Sequence, residues 1–285
     1  MTYPASIDLH LHTTVSDGTD TPEELIGRVK AAGIGLFSVT DHDALKGCGI
    51  VRGLLREGDP AFLTGVEFSC RDEEGKYHIL GYGYDLEAEP IRALVAQGHA
   101  LRMEKLTNRL EFLRTAFGFT FSEADRAALY ALDNPGKPHV GNLMVRYGYA
   151  ATKEEAIQDY LNRFRVRNAY VRPEVAIRAI LGSGGVPVLA HPAYGPGDEL
   201  ILGEEMERRL RRLMGYGLQG VEAYYSGFPP KLQREMLDFA ERFGLYVTAG
   251  SDYHGKNKLV RLGDTNLCGV EDWPAGLRRF LDAVL

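Results

Sequence analysis

The first residues of this 285-residue chain that could do chemistry are two imidazoles two residues apart, His10 and His12, followed by the carboxylate of Asp17. They come at the end of the short apolar run that begins at Ile7. On a strand, residues two apart face the same side, so both rings aim at one point, as a metal ion requires. An H-x-H pair is also what a polar strand face looks like, so the reading rests on whether later strands end in matching ligands. They do. His42 follows Leu36–Thr40, Glu67 comes near the end of Ala61–Phe68, and Lys76–Tyr84 carries His78. His191 closes Val186–Ala190, and Asp252 and His254 follow Leu245–Ala249. Eight histidines occur in the chain, and only His99 and His139 lie away from such positions. The donors are imidazole nitrogen and carboxylate oxygen, with no thiolate, a set suited to divalent manganese, iron or zinc. Nine ligands are too many for one ion. They call for two or three ions, bridged by Glu67 and Asp17, and such a cluster can clamp a phosphate and generate hydroxide from water.

Alternating strands and helices must position these residues. Thr21-Pro22-Glu23-Glu24 reads as a capping box with proline in the first helical turn, and Leu25, Ile26, Val29 and Ala32 form the apolar stripe that follows. Ala44–Arg56 reads as a helix weakened by Gly47, Gly49 and Gly53. From Pro90 to about Arg167 the pattern is helical without strand candidates. It comprises a long amphipathic stretch, Pro90–Phe117, and shorter ones near Ser122–Leu132, His139–Tyr147 and Thr152–Phe164. Alternation resumes with helices at Pro173–Leu181, Glu204–Tyr216, Pro229–Phe243 and Ala275–Leu285, and strands at Val186–Ala190, Leu218–Tyr224 and Leu245–Ala249. The count implies an α/β parallel sheet, barrel or doubly wound, with a helical insertion. In a parallel barrel the strand C-terminal ends share one face, where sites are built.

Composition excludes several classes. A net charge of -6 gives no basic face for duplex nucleic acid. The arginines at 208, 209, 211 and 212 lie among Glu204, Glu205 and Glu207 and read as a solvated helix face, and Arg163, Arg165 and Arg167 form only a local patch. Three cysteines, Cys48, Cys70 and Cys268, make no C-x-x-C pair and suit a reducing cytoplasm. The N-terminus has no signal-peptide pattern, no stretch approaches the about 18 apolar residues of a membrane span, and no obligate protein partner is evident.

The motifs H-x-H with a following Asp, T-D-H-D, G-V-E, H-I-L-G-Y, L-A-H-P and G-S-D-x-H, in this order, resemble the polymerase-and-histidinol-phosphatase (PHP) family of metal-dependent phosphoesterases. The resemblance implies a distorted (β/α)7 TIM-like barrel, residues 1–89 and 168–285, with an inserted helical substrate-capping subdomain at 90–167. It implies one ion on His10, His12, Glu67 and Asp252, a second on Glu67, His78 and His191, and a third on Asp17, His42 and His254. Asp41 and Asp43 are then partners of the ligating imidazoles or strand-end caps. The expected reaction is hydrolysis of a nucleotide-like phosphate ester, such as a nucleoside 3',5'-bisphosphate, by attack of a metal-bridging hydroxide. His191, His254 and Asp17 are the residues closest to the chemistry, and manganese is the first choice of metal.

The stand-alone members with this insertion typically carry a G-R-P-H segment and a further Arg three residues after the His. Here Gly136-Lys137-Pro138-His139 is followed by Asn142. Lysine is a point charge where arginine forks, which weakens recognition of a second phosphate. Lys137, His139, Asn142, Tyr225, Lys256 and Arg261 are the expected substrate contacts. Three other readings stay open: opening of a small cyclic phosphodiester followed by phosphate release, histidinol-phosphate hydrolysis, and a non-catalytic metal-stabilised module. Amidohydrolases share H-x-H after the first strand but usually place a bridging Lys where this chain has Glu67.

Overall fold

The computed structural model describes residues 3–164, 170–195, 199–267 and 269–285. Arg165, Arg167 and Cys268 lie outside the described residues. The chain forms two compact units, Met1–Val95 with Val171–Leu285, and Ala96–Tyr170.

The first unit is built on one seven-stranded sheet in sequential order. Its strands are β1 (Ile7–Leu11), β2 (Leu36–Val39), β3 (Ala61–Arg71), β4 (Lys76–Tyr82), β5 (Val186–Leu189), β6 (Gly220–Tyr225) and β7 (Tyr246–Gly250). Leu11 bridges Tyr253 in parallel register, and the His12 N–H donates to the Tyr253 carbonyl at 3.0 Å. The sheet therefore curls towards closure as a barrel. Asp8, His10 and His12 share one face of β1, while Leu11 on the other face packs with Leu25, Val29 and Phe37. The helices of this unit are α1 (Pro22–Ala31), α2 (Lys46–Leu54), the start of α3 (Glu89–Phe117), and, from the later half of the chain, those beginning at Pro173, Gly203, Pro230 and Ala275. The capping box of α1 is present: Thr21 Oγ1 accepts from the Glu24 N–H, and Glu24 accepts from the Thr21 N–H at 2.8 Å.

One strand departs from the all-parallel expectation. β4 runs antiparallel to both β3 and β5. The connection Asp72–Gly75 is too short for a parallel crossover, which takes a dozen residues or more, and Asp72 folds it by accepting the Glu74 and Gly75 N–H groups. His78 thus lies near the N-terminal end of β4, not at a strand C-terminus. Reversal of the strand brings that end to the ligand face, where His78 stands beside Ser69 of β3.

The second unit contains most of α3, then α4 (Glu123–Tyr130), α5 (Lys137–Arg146) and α6 (Lys153–Glu155). Leu106, Leu110, Leu113, Val140 and Met144 are among its buried residues. The stretch read as a helix over Thr152–Phe164 is broken: α6 passes into a π turn at Ala156–Tyr160 and a 3-10 turn at Leu161–Arg163. The division between the units runs inside α3, so the sequence boundary at 90 is carried by one continuous helix.

The helices α7 (Pro173–Gly182), α8 (Gly203–Tyr216), α9 (Pro230–Phe243) and α10 (Ala275–Val284) complete the first unit. The arginines of α8 are not uniformly solvated. Arg208 and Arg211 pair with Glu205 and Glu207 on the surface. Arg209 is only 6% exposed, with its guanidinium over the Tyr77 ring, and Arg212 pairs with the buried Asp72.

Candidate metal centre

Glu67 is the centre of the site. Its Oε1 lies 2.7 Å from His78 Nδ1 and 3.2 Å from His191 Nε2. Its Oε2 lies 3.2 Å from His10 Nε2, 3.1 Å from His12 Nε2 and 3.2 Å from His42 Nδ1. One carboxylate, 1% exposed, thus faces five imidazoles delivered by β1, β4 and the loops after β2 and β5. The backbone fixes it there: the Glu67 carbonyl accepts from the Asp43 N–H, and His42 bridges Glu67 in parallel register. Burial opposes ionisation of Glu67, yet His42, His78 and His10 hold its carboxyl well below the usual range. Burial also opposes ionisation of Asp252, and His10, Lys258 and His12 hold it low. Burial, with His254 and His42 alongside, pushes His12 well below the ordinary imidazole value. His10 goes the other way, because Glu222, Glu67 and Asp252 outweigh its desolvation.

Among the described residues, three groups bring ligand atoms within 4.8 Å of one another: His10, His12, Glu67 and Asp252; His12, Asp17, His42 and His254; and His42, Glu67 and His78. The first is the set implied by the family resemblance. In the others, His12 joins the Asp17 group and His42 joins Glu67 and His78, while His191 approaches through Glu67 Oε1. The donors fit divalent ions. The buried His12 Nε2 and Asp17 Oδ1 take part in no hydrogen bond, although Glu67 Oε2 and His254 Nε2 stand 3.1 and 3.2 Å away. Buried polar atoms normally find hydrogen bonds, so atoms that face one another without making them have the arrangement of ligands aimed at a shared ion.

The supporting residues differ in part from those expected. Asp41 serves the loop, not an imidazole: it accepts from the Thr13 N–H and from the Thr13 and Ser16 hydroxyls at 2.7–2.8 Å, pinning the turn that carries Asp17. Asp43 accepts from the Ser69 N–H at 3.1 Å. The carboxylate that orients His10 is Glu222 on β6, fully buried, at 2.8 Å from Nδ1, and its second oxygen accepts the His191 N–H at 2.8 Å. Sequence reasoning missed Glu222. Its signal was a lone charge inside the apolar strand Val221-Glu222-Ala223-Tyr224. Gly250 on β7 makes room for this contact: a Cβ there would lie 2.3 Å from His10 Cβ and 2.6 Å from Glu222 Oε1. Asp43, His191 and Asp252 all have positive φ, at 50°, 28° and 59°, so two of the ligands and the neighbour of His42 sit on strained backbone.

A cavity of about 320 Å³ opens on this cluster, lined by His42, Glu67, His78, His191 and Asp252 and walled by Lys76, Tyr194, Arg209, Tyr225 and Lys258. Tyr225 lines this cavity, its hydroxyl donating to Asp252 Oδ2 at 3.0 Å. Lys256 and Arg261 are not among the lining residues. The 3-10 turn Gly255–Asn257 ties the Lys256 N–H to Thr19 and presents Lys258 instead, which pairs with Asp252. In the second unit, His139 and Asn142 line a cavity with Asp125 and Arg146, and His139 Nδ1 accepts from the Gly136 N–H at the start of α5. Lys137 bonds to Asn162. His99 Nδ1 donates to the Asp133 carbonyl at 3.1 Å, away from any ligand group.

A PHP domain model matches residues 8–172. The chain belongs to the PHP domain family. The 3',5'-nucleoside bisphosphate phosphatase of Chromobacterium violaceum is 31% identical, with 95% of this chain and 93% of that protein covered. A 5'-3' exoribonuclease of Haemophilus influenzae is 29% identical over 90% and 92% of the two chains. A phosphoribosyl 1,2-cyclic phosphate 1,2-diphosphodiesterase of Eggerthella lenta is 29% identical over 87% and 94%. Among solved structures, a protein of Bifidobacterium adolescentis provisionally named a metal-dependent phosphoesterase superposes with a TM-score of 0.80 at 28% identity, covering 100% of this chain and 98% of its own. A Chromobacterium violaceum protein named an amidohydrolase, with sulfate and no metal bound, gives 0.79 at 28% identity, covering 98% and 97%. Among the described residues no helix is long and apolar enough to cross a membrane.

Asp17 gives the first test of the ligand groups. Its Oδ1 lies 3.2 Å from His254 Nε2 and 3.6 Å from His12 Nδ1, and its Oδ2 lies 3.9 Å from His42 Nε2. Asp17→Ala is expected to lower metal content by about one ion per chain and to depress turnover, with the far-ultraviolet circular dichroism unchanged, because the loss removes a ligand and no core packing. Full metal occupancy and full turnover in that variant would show the Asp17 group to be dispensable.

Proposed function

We propose that this PHP-family protein is a metal-dependent phosphoesterase that releases phosphate from a small nucleotide-like ester, a nucleoside 3',5'-bisphosphate being the first candidate. The observation that carries this reading is Glu67 within 3.2 Å of five imidazoles at the base of a cavity with cationic walls. His10, His12, Glu67 and Asp252 would hold one ion, His42, His78 and His191 would share Glu67 around a second, and Asp17 and His254, with His12 and His42 beside them, would hold a third. Two or three bound ions, manganese first by donor type and iron or zinc next, would supply neutralisation of phosphate oxygens and acidified water.

The chain's own residues supply the rest. Lys258 and Arg209 stand on the wall of the cavity, paired with Asp252 and Glu205, and would turn positive charge towards a phosphate dianion bound over the cluster. Burial raises the Tyr225 hydroxyl well above its ordinary pKa, so it stays protonated and offers an O–H beside Asp252. Glu222 holds His10 in the tautomer whose Nε2 faces the cluster. The buried free thiols of Cys48 and Cys70 accord with a cytoplasmic protein.

The replacement of arginine by Lys137 and Asn142 favours one second reading, a substrate with a single phosphorus such as a small cyclic phosphodiester. One experiment addresses both. Manganese-loaded and metal-stripped protein are compared on nucleoside bisphosphate, nucleoside monophosphate and five-membered cyclic phosphate panels, with phosphate release as the readout. The bisphosphate is expected to be fastest, and stripping is expected to cost at least about a hundredfold, the scale on which several kcal/mol of Lewis-acid stabilisation acts. Undiminished release after stripping rejects the metal-dependent reading. Preference for the cyclic ester moves the substrate to the second reading.

A further inference from the structure

Beside the cluster stands an aromatic wall that phosphate chemistry alone does not require. Tyr225 lies 5.5 Å from His191 between ring centroids, Tyr194 lies 6.0 Å beyond Tyr225, and Phe228 packs against both at 5.2 and 5.4 Å. Exposure rises along this line away from the core. Phe228 is 3% exposed, Tyr225 is half-buried, and Tyr194 is 39% exposed in the wall of the cavity that opens on the ligands.

Tyr194 is held in place despite that exposure. Its N–H donates to the His191 carbonyl at 3.0 Å, it bridges Leu200 in antiparallel register, and the Ile201 N–H donates to the Ala193 carbonyl at 2.9 Å. Its hydroxyl donates to the Gly227 carbonyl. A Cβ at Gly227 would lie 2.6 Å from the Tyr225 ring and 3.4 Å from the Tyr194 ring, so this glycine lets the backbone approach both. A tethered, part-exposed ring loses little freedom when a flat ligand covers it, and that is the requirement for a stacking surface. Two ring contacts, through Tyr225, link Tyr194 to the ligand His191. The cavity volume is in the range of small-molecule sites.

We propose that Tyr194 is a stacking platform for the nucleobase of the substrate, which makes it a specificity-determining residue. The inference rests on the phosphoesterase reading and deepens it: the ester carries a base, on a mononucleotide or at the end of a short RNA, and a base-free sugar phosphate is a poorer substrate.

The test uses the full-length, manganese-loaded protein as wild type, Tyr194→Ala and Tyr194→Phe. Substrates are adenosine 3',5'-bisphosphate, a short 5'-phosphorylated RNA and a base-free ribose phosphate ester. Binding of adenosine 5'-monophosphate and of inorganic phosphate is measured in parallel by equilibrium dialysis. Tyr194→Ala is expected to raise KM for the base-bearing substrates and weaken adenosine monophosphate binding by about ten- to a hundredfold, the range of base–aromatic stacking. It is expected to leave the base-free ester and inorganic phosphate within about twofold, and Tyr194→Phe is expected to restore most of the base-dependent effect. Equal losses on base-bearing and base-free substrates, or no loss on either, overturn the proposal. If the wild type turns over none of the esters while Tyr194→Ala still weakens nucleotide binding, stacking stands and the catalytic reading fails. A loss on the bisphosphate and RNA alike supports the platform, and the faster of the two names the source of the base.

Discussion

Glu67→Gln is expected to lower phosphate release about a thousandfold and to remove about one metal ion or more per chain, while the fold persists. The magnitude follows from the several kcal/mol a bridged ion contributes to a phosphoryl transition state, at about 1.4 kcal/mol per tenfold. Glutamine keeps the length of the side chain but offers one acceptor oxygen and an N–H2 group. Glu67 now presents two anionic oxygens, one to His78 and His191 and the other to His10, His12 and His42. The amide turns one of these sets into a meeting of a donor with ring nitrogens that should be ligands. It also removes the charge that shares two ligand groups. The fold is expected to survive because β3 is held by its ladders to β2 and β4, not by the carboxylate. Metal analysis, phosphate release and circular dichroism on the same preparation check this. A Glu67→Gln protein with its full metal complement and normal turnover would remove Glu67 from the centre of the site.

Much of this centre was legible because the spacing rules of strands are local. His10 and His12 share a face by the period of two, and His42, His191, Asp252 and His254 follow strands whose apolar runs are plain in the sequence. What was not legible depended on direction or on meetings across the barrel. His78 was read as lying near a strand's end, but the four-residue connection Asp72–Gly75 reverses β4. That signal was present in the sequence as a connection too short to cross over. Lys258 displaced Lys256 and Arg261 because a 3-10 turn at Gly255–Asn257 decides which lysine faces inward, and no periodicity marks such a turn. Arg209 shares a helix with the surface-paired Arg208 and Arg211 and, like them, meets a glutamate, Glu205, and only its burial over the Tyr77 ring separates it from those two. Asp41 has the right neighbours in sequence to support His42, yet its oxygens are taken by Thr13 and Ser16.

Glu222 is the residue for which sequence offered least and structure offers most, and its removal tests the support of the ligands. Its two oxygens join parts of the site that are far apart in the chain: Oε1 takes His10 Nδ1 at 2.8 Å, and Oε2 takes the His191 N–H at 2.8 Å. The first contact fixes the proton on Nδ1 and leaves Nε2 towards Glu67 and Asp252. The second holds His191, whose backbone has positive φ and would otherwise relax. Glu222→Gln keeps the shape but has one acceptor for two donors, so one contact becomes donor against donor at a fully buried side chain. Metal affinity is expected to fall ten- to a hundredfold, the usual scale for carboxylates that orient metal-bound imidazoles, with a parallel loss of turnover at limiting metal that excess manganese restores in part. A competition titration with a chelator of known affinity measures the first, and phosphate release against manganese concentration measures the second. Partial rescue by metal separates weakened ligand orientation from a lost substrate contact, which extra manganese would not mend. Unchanged affinity would mean that His10 and His191 are oriented by the strands alone.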